Sequence, residues 1–461
     1  MPSFPAFSQP YNSQNITLFA KWDTSITIAE PTYGIRYNSV WGWVDPQDNR
    51  EYAIIGSTDG TYFIEVTDPS NPAVRDYVAG RRDSCIWREY KTYQNYCYMV
   101  SDDNSPNSMQ IYDLSPLPDS VQIVHDADTI IKRAHTLFVD GDKMYFAIPK
   151  TISYGISVMA VYSLADPIAP ALLRKLDDDF PGSDYVHDMF VRNDTVFASS
   201  SYSGLFVYKY NTGSNNFTLL GTLTSYFDQG YNHSSAWTPD GKTLIMTDEV
   251  PEGLSVKIAD VSDLTDITVV ANYYSHPGAT PHNPFVIGNR WAVIAYYQDG
   301  LYILDISNPA STVMSGFFDT HPQNGDNNGY PSPAYMGNWG AYVDLPSGTI
   351  LASDMQNGLF VLNASDALVG GVEELEKMTL EIFSNPSAKH FLLSLLLPTE
   401  QEIHYTLSDL KGKILFEKRQ EFRKGNSIVR IPVHGCSAGI YFLKISGKDG
   451  IAVKKIVKIS D

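Results

Sequence analysis

Between Tyr185 and Tyr210 the chain reads YVHDMFVRNDTVFASSSYSGLFVYKY, three short runs of β-branched and aromatic residues. A polar turn at Asn193-Asp194 and a glycine turn at Ser203-Gly204 separate them. Apolar runs of about four to eight residues between such turns mark antiparallel hairpins. Copies of this unit recur roughly every 45 to 55 residues, a period that with about four strands per copy predicts a β-propeller blade.

Seven copies can be traced. They begin near Val40, Ile86, Ala134, Val186, Asn232, Pro281 and Asn338, and the last stops after GLFVLNAS with only three strands. The outer strand of other copies reads like Thr218 to Thr224 (TLLGTLT), Thr268 to Tyr274 (TVVANYY) or Thr312 to Phe318 (TVMSGFF). A solitary leading segment, Asn15 to Asp23 (NITLFAKWD), fits that pattern and is expected to complete the last blade. Closure of this kind leaves few open sheet edges. Six copies plus a lone strand is the alternative count. The fold expected is therefore all-β: a seven-bladed propeller over residues 15–366, with 1–14 as a leading remnant, then a small C-terminal β-sandwich.

Each third strand carries a signature, clearest in Gly300 to Pro309 (GLYILDISNP), with cognates in TYFIEVTDPSNP from Thr61, GLFVYKYN from Gly204 and GLFVLNAS from Gly358. The glycine suits a tight turn of positive φ, and a closing proline cannot donate to a ladder. These copies, over roughly Val40 to Asn363, resemble the LVIVD repeats of the choice-of-anchor B family of bacterial surface propellers. The stretch WGWVDPQDNREYAIIGSTDGTYFIEVTDPSNP is similar to that family's most specific part. The resemblance implies a secreted or surface-held propeller and brings no activity with it.

A linker over 367–379 containing VGGVEELEK leads to a second all-β pattern over 380–461, with hairpin turns at DLKGK and GKDG. Four features, in this order, resemble the C-terminal sorting domain of the type IX secretion system. They are Ser384-Asn385-Pro386, Leu410 to Lys413, the Ser437 to Lys444 run (SAGIYFLK) and the basic Lys454 to Lys458 end. The resemblance implies an export address recognised by that machinery.

Charge divides the chain in the same place. The formal net charge of −19 is the sum of about −25 before Lys377 and +6 from it onward. An acidic body argues against nucleic acid as its partner, since phosphate binding needs a basic surface. No run of apolar residues is long enough to cross a membrane as a helix. The opening MPSFPAFSQPYNSQN lacks a basic start and a full apolar core, so SFPAFS reads either as the end of a leader or as an unstructured start. Of the three cysteines, Cys85 and Cys97 flank one hairpin in a register that sets Cys97 opposite Thr92, so no bridge is expected between them.

The copies also align one position at the start of the innermost strand, which lines a propeller's channel. It is His135, His187, His233 and His282 in four consecutive copies, Arg88 in the second, Trp339 in the seventh and Val40 in the first. Turns between second and third strands open on the same face and carry Asp59, Asp102, Asp103, Asp248, Glu249 and Asp299, with Asp354 just before the seventh.

Two readings of the histidines follow. Converging neutral imidazoles bind a divalent transition metal, with carboxylates orienting the rings; carotenoid cleavage oxygenases hold a metal on a propeller axis with four histidines, an analogy of fold alone. Alternatively each ring bonds the next blade's backbone and plugs the mouth. Arg88-Glu89 aligns with His187-Asp188, and with Asp248, Glu249 and Trp339 these form the expected ligand-binding set. The run Asn324 to Gly329 (NGDNNG) echoes half a calcium loop, but Tyr335 stands where a bidentate glutamate belongs. No GxSxG, HExxH, P-loop or dinucleotide fingerprint occurs. The expectation is an extracellular binding or scaffolding protein with an unidentified ligand; the alternative is a metal-dependent lyase or oxygenase using the same histidines.

Overall fold

The computed structural model describes residues 11–103, 107, 109–322 and 335–369, then 379–382, 390–397, 401–409, 413–422, 425–433, 435–447 and 450–459. Two compact units emerge, Met1–Leu368 and Val369–Asp461.

Among the described residues of the first unit the strands form seven antiparallel sheets of four or five strands and one two-stranded ribbon, each large sheet mainly a meander of consecutive strands that follows from local pairing. Their innermost strands are Tyr37–Val44, Arg88–Tyr93, Thr136–Asp140, Asp188–Arg192, Asn232–Trp237, Pro284–Ile287 and Asn338–Tyr342. Each sheet's inner strand touches the next sheet, and the seventh touches the first, so the sheets stand in a ring.

The core is divided in the same way. Seven buried apolar clusters each straddle two successive sheets, as where Tyr52, Ile54 and Phe63 meet Tyr90, Cys97 and Met99. The cluster joining Tyr37, Val40 and Ile55 to Leu351, Leu359 and Val361 closes the circle. Burying one such side chain contributes about 1.5–3 kcal/mol, so each interface rests on several.

The leading strand Thr17–Trp22 completes the last sheet, pairing antiparallel with Gly358–Asn363. Just before it, Ser13–Gln14 adds a fifth strand to the sixth sheet, and Ile16 between them is buried. The segment thus ties two neighbouring sheets, which the pattern of NITLFAKWD alone did not indicate. A short ribbon, Lys150–Thr151 with Gly155–Ile156, also stands outside the anticipated four strands of the third sheet. The third-strand glycines behave as expected: Gly204, Gly300 and Gly358 have φ of 87°, 84° and 93°. A Cβ on Gly300 would also lie only 2.2 Å from the Phe318 carbonyl oxygen.

In the second unit a three-stranded sheet (Thr379–Ile382, His390–Leu397, Gly425–Pro432) and a four-stranded sheet (Ile414–Phe422, Gln401–Ser408, Gly439–Gly447, Gly450–Lys458) share one core. Phe391, Leu393 and Ile431 meet Ile403, Leu407 and Leu443 there, as in a sandwich. Side chains along Gln401–Ser408 alternate between buried and more open, the period of a half-buried strand. Cys97 faces Thr92 in the ladder, and all three cysteines are free.

Candidate functional site

The four histidines converge at one mouth of the channel because each lies at the start of an inner strand. Ring centroids are 4.2 Å apart for His135 and His187, and 4.3 Å apart both for His187 and His233 and for His233 and His282. Trp339 continues the arc at 4.5 Å from His282, and Trp87 stacks 5.0 Å from Trp339.

Hydrogen bonds assign the ring protons. His187 Nδ1 donates to the His233 carbonyl (3.1 Å), and His282 Nδ1 donates to the Trp339 carbonyl. His233 Nδ1 is turned toward the His282 carbonyl but forms no good bond; that carbonyl accepts the Thr247 hydroxyl. With the proton on Nδ1, Nε2 carries the lone pair, and an outer N–H held by a backbone carbonyl is how metal-ligating histidines are oriented. Burial pushes all three below the ordinary histidine range, His282 to about 3, so they are neutral.

His135 differs. Its Nδ1 meets Asp102 Oδ2 at 2.8 Å. Burial opposes the charged ring, but the Asp102 charge and hydrogen bond, helped by Glu89 and Asp188, outweigh it and raise His135 to about 9. The arc therefore ends in an imidazolium–carboxylate pair, a poor metal ligand.

Glu249 approaches from the other side, its Oε2 3.8 Å from His233 Nε2, while its Oε1 accepts the Tyr297 hydroxyl at 2.6 Å. Burial raises its pKa. One ligand atom each from His233, Glu249 and His282 fall within 4.8 Å of one another, a set able to hold a metal ion.

Beneath the imidazoles the channel is a cavity of about 530 Å³. Its next tier is polar, with Glu89, Lys91, Asp188, Ser234 and Asn283. Glu89 accepts the Trp339 indole N–H at 2.9 Å and Asp188 accepts the Ser234 hydroxyl at 2.6 Å. Burial raises the pKa of both acids. Phe138, Phe190 and Phe285 form apolar wall further in.

Of the residues singled out by sequence, His135, His187, His233, His282, Glu89, Asp188, Glu249 and Trp339 all line this cavity. Arg88 and Asp248 do not, which corrects their placement. Arg88 is fully buried, with its guanidinium donating to the Ser57 and Arg82 carbonyls. Those carbonyls hold it away from the channel, while the next residue, Glu89, lines the cavity. Asp248 is sealed in a 2.6 Å ion pair with Lys257 and accepts the Tyr226 hydroxyl.

Most other turn carboxylates are also held locally: Asp59 by Ser57, Asp103 by the Ile86 and Trp87 amides, Asp299 by His276 and Asp354 by Thr320. The calcium motif at 324–329 lies outside the described residues. Sequence reasoning missed Tyr297 and Lys91. Tyr297 sits in the YYQDG turn at φ 45°, a strained conformation that aims its ring at His282 (4.5 Å). Lys91 could have been found by stepping two residues inward from Glu89.

Comparison with known proteins follows the same division. Residues 286–320 match the LVIVD repeat, and residues 381–459 match the secretion system C-terminal sorting domain. No curated protein matches the sequence. Among solved structures, the chain is similar to a candidate 6-phosphogluconolactonase from Bacteroides uniformis (TM-score 0.49, 13% identity, covering 81% of this chain and 96% of that one). It is similar to the extracellular domain of a candidate hybrid two component system from B. thetaiotaomicron (0.47, 12%, covering 82% and 46%). PorZ, a surface component of the type-IX secretion system of Porphyromonas gingivalis, gives 0.35 and 10%, covering 92% and 70%. Nothing about activity passes from these to this chain. The matches do not bear on the choice-of-anchor B grouping. Among the described residues no helix is long and apolar enough to cross a membrane. The ring of sheets thus carries an LVIVD repeat at 286–320, and the chain ends in a type IX secretion C-terminal sorting domain, which implies interaction with the secretion machinery and makes this a secreted or cell-surface protein.

Proposed function

We propose that this is an extracellular binding protein whose channel mouth holds a divalent transition metal, with His233 and His282 as imidazole ligands, Glu249 as the carboxylate and His187 beside them. The supporting observation is the convergence of three ligand atoms within 4.8 Å. Neutral imidazoles backed by backbone carbonyls suit zinc or a neighbouring first-row metal. Burial raises the Glu249 pKa, and the ligand form is its carboxylate, so affinity rises with pH.

The test is metal content of tag-free protein after dialysis against zinc and then buffer. About one zinc per chain is expected, absent from His233→Ala/His282→Ala, with a zinc-dependent rise in melting temperature for the parent only. A folded parent that keeps no zinc and gains no stability from it overturns the proposal.

A second reading, a metal-dependent lyase or oxygenase, draws support from the cavity below the metal position, where Glu89 and Asp188 have raised pKa values suited to proton transfer. Metal-dependent turnover of a small-molecule library separates it from binding alone.

A further inference from the structure

Lys91 sits in the channel wall, on the inner strand of the second sheet, where nothing in the mouth's metal chemistry requires an amine. Its Nζ lies 3.9 Å above the Trp41 ring and donates to the Tyr90 carbonyl of its own strand at 3.1 Å. Among the described residues no carboxylate oxygen comes within ion-pairing distance of it. The other basic side chain lining the cavity, Arg192, is different: its guanidinium donates to the Thr238 and Trp237 carbonyls. Lys91 is thus held by one carbonyl and one ring, and Arg192 by two carbonyls. Lys91 lines the cavity with the Trp41 ring at its amine.

We propose that Lys91 is a carbonyl-reactive amine, forming a Schiff base with an aldehyde or ketone ligand whose apolar body lies against the Phe138 and Phe190 walls. The neutral amine adds through its lone pair to the carbonyl carbon, and the C=O electron pair moves to oxygen. A proton passes from nitrogen to that oxygen to give a carbinolamine. A neighbouring acid then protonates the hydroxyl, water leaves, and nitrogen loses its last proton or stays as the iminium. Two acids suit the protonation: Glu89, two residues away on the same strand face, and Asp188, on the fourth sheet, both within electrostatic reach of Lys91.

Burial favours the neutral amine and lowers the Lys91 pKa, although Glu89, Asp188 and Cys97 work the other way. Burial also raises Glu89 and Asp188, which favours the acid forms needed for dehydration. Desolvation is what activates a lysine amine toward carbonyls. This step needs no metal, so it stands apart from the binding reading above.

The experiment is reductive trapping of the full chain with benzaldehyde and sodium cyanoborohydride at neutral pH, with chelator present, followed by peptide mapping. The expected result is a benzyl adduct on Lys91 ahead of exposed lysines such as Lys21 and Lys242. In Lys91→Arg, which keeps the charge, the adduct is lost while the surface lysines react as before. Mapping the parent protein gives the answer even if that variant folds poorly. Labelling confined to surface lysines and the terminal amine, with Lys91 unmodified, overturns the proposal.

Discussion

Asp102→Asn isolates the one charged member of the histidine arc. In the parent, the imidazolium of His135 is held by the Asp102 carboxylate at 2.8 Å, with side-chain exposures of 21% and 31%. His135 stands at about 9 against an ordinary 6.5, and at about 1.4 kcal/mol per pH unit that gap favours the charged folded form by ~3 kcal/mol. Partial exposure of the pair trims this figure through solvent screening.

Because the folded value is the higher one, the stabilisation is complete below pH 6.5 and fades as the pH rises through about 9. Asp102 is held below its ordinary 3.8, burial being outweighed by His135 and Arg133, so its share is lost as acid protonates it. The pair is therefore at full strength between about pH 4 and 6.5. With asparagine in place, only Glu89 and Asp188 still oppose burial, so the His135 pKa falls in the direction of its three neighbours. NMR titration of the His135 ring and urea unfolding at pH 6 and pH 10 provide the measurements. Asp102→Asn is expected to destabilise the protein at pH 6 by ~2–3 kcal/mol, with the difference shrinking toward pH 10. A parent His135 that titrates at or below 6.5, or one indifferent to the substitution, refutes the reasoning.

Other outcomes follow from the ring itself. Removing residues 11–23 strips the pairing from Gly358–Asn363 and exposes the edge of the last sheet, so the variant is expected to melt earlier and self-associate, as read by calorimetry and size-exclusion chromatography. Gly300→Ala forces a Cβ onto the Phe318 carbonyl at φ 84°, with an expected loss of about 1–3 kcal/mol in urea unfolding; an unchanged midpoint counts against the turn geometry. Lys257→Met leaves the fully buried Asp248 carboxylate without its cation and is expected to cost ~3–5 kcal/mol, much of it recovered when Asp248 is also made leucine. A double variant no better than the single one contradicts the pairing.

Much of this architecture was legible before any coordinates. Alternation of apolar and polar residues fixes which strand face is buried, and turn residues such as Gly300 fix where a strand begins, because both are local constraints on the backbone. Repetition then exposes a shared position, and His135, His187, His233 and His282 declare themselves by register alone. The sorting tail is equally local, read from GIYFLK and its basic end.

What only the tertiary structure decided is how equivalent positions come to differ. Arg88 aligns with the histidines, yet its side chain turns behind the sheet because the Ser57 and Arg82 carbonyls there satisfy it. Asp248 and Glu249 are adjacent in sequence, but strand alternation sends one into a salt bridge with Lys257 and the other to His233. His135 alone among the four carries a charge because only its turn places a carboxylate against Nδ1. A repeat in the sequence specifies a common backbone; the charge, proton and partner of each side chain depend on neighbours contributed by other blades, which no single stretch of sequence contains.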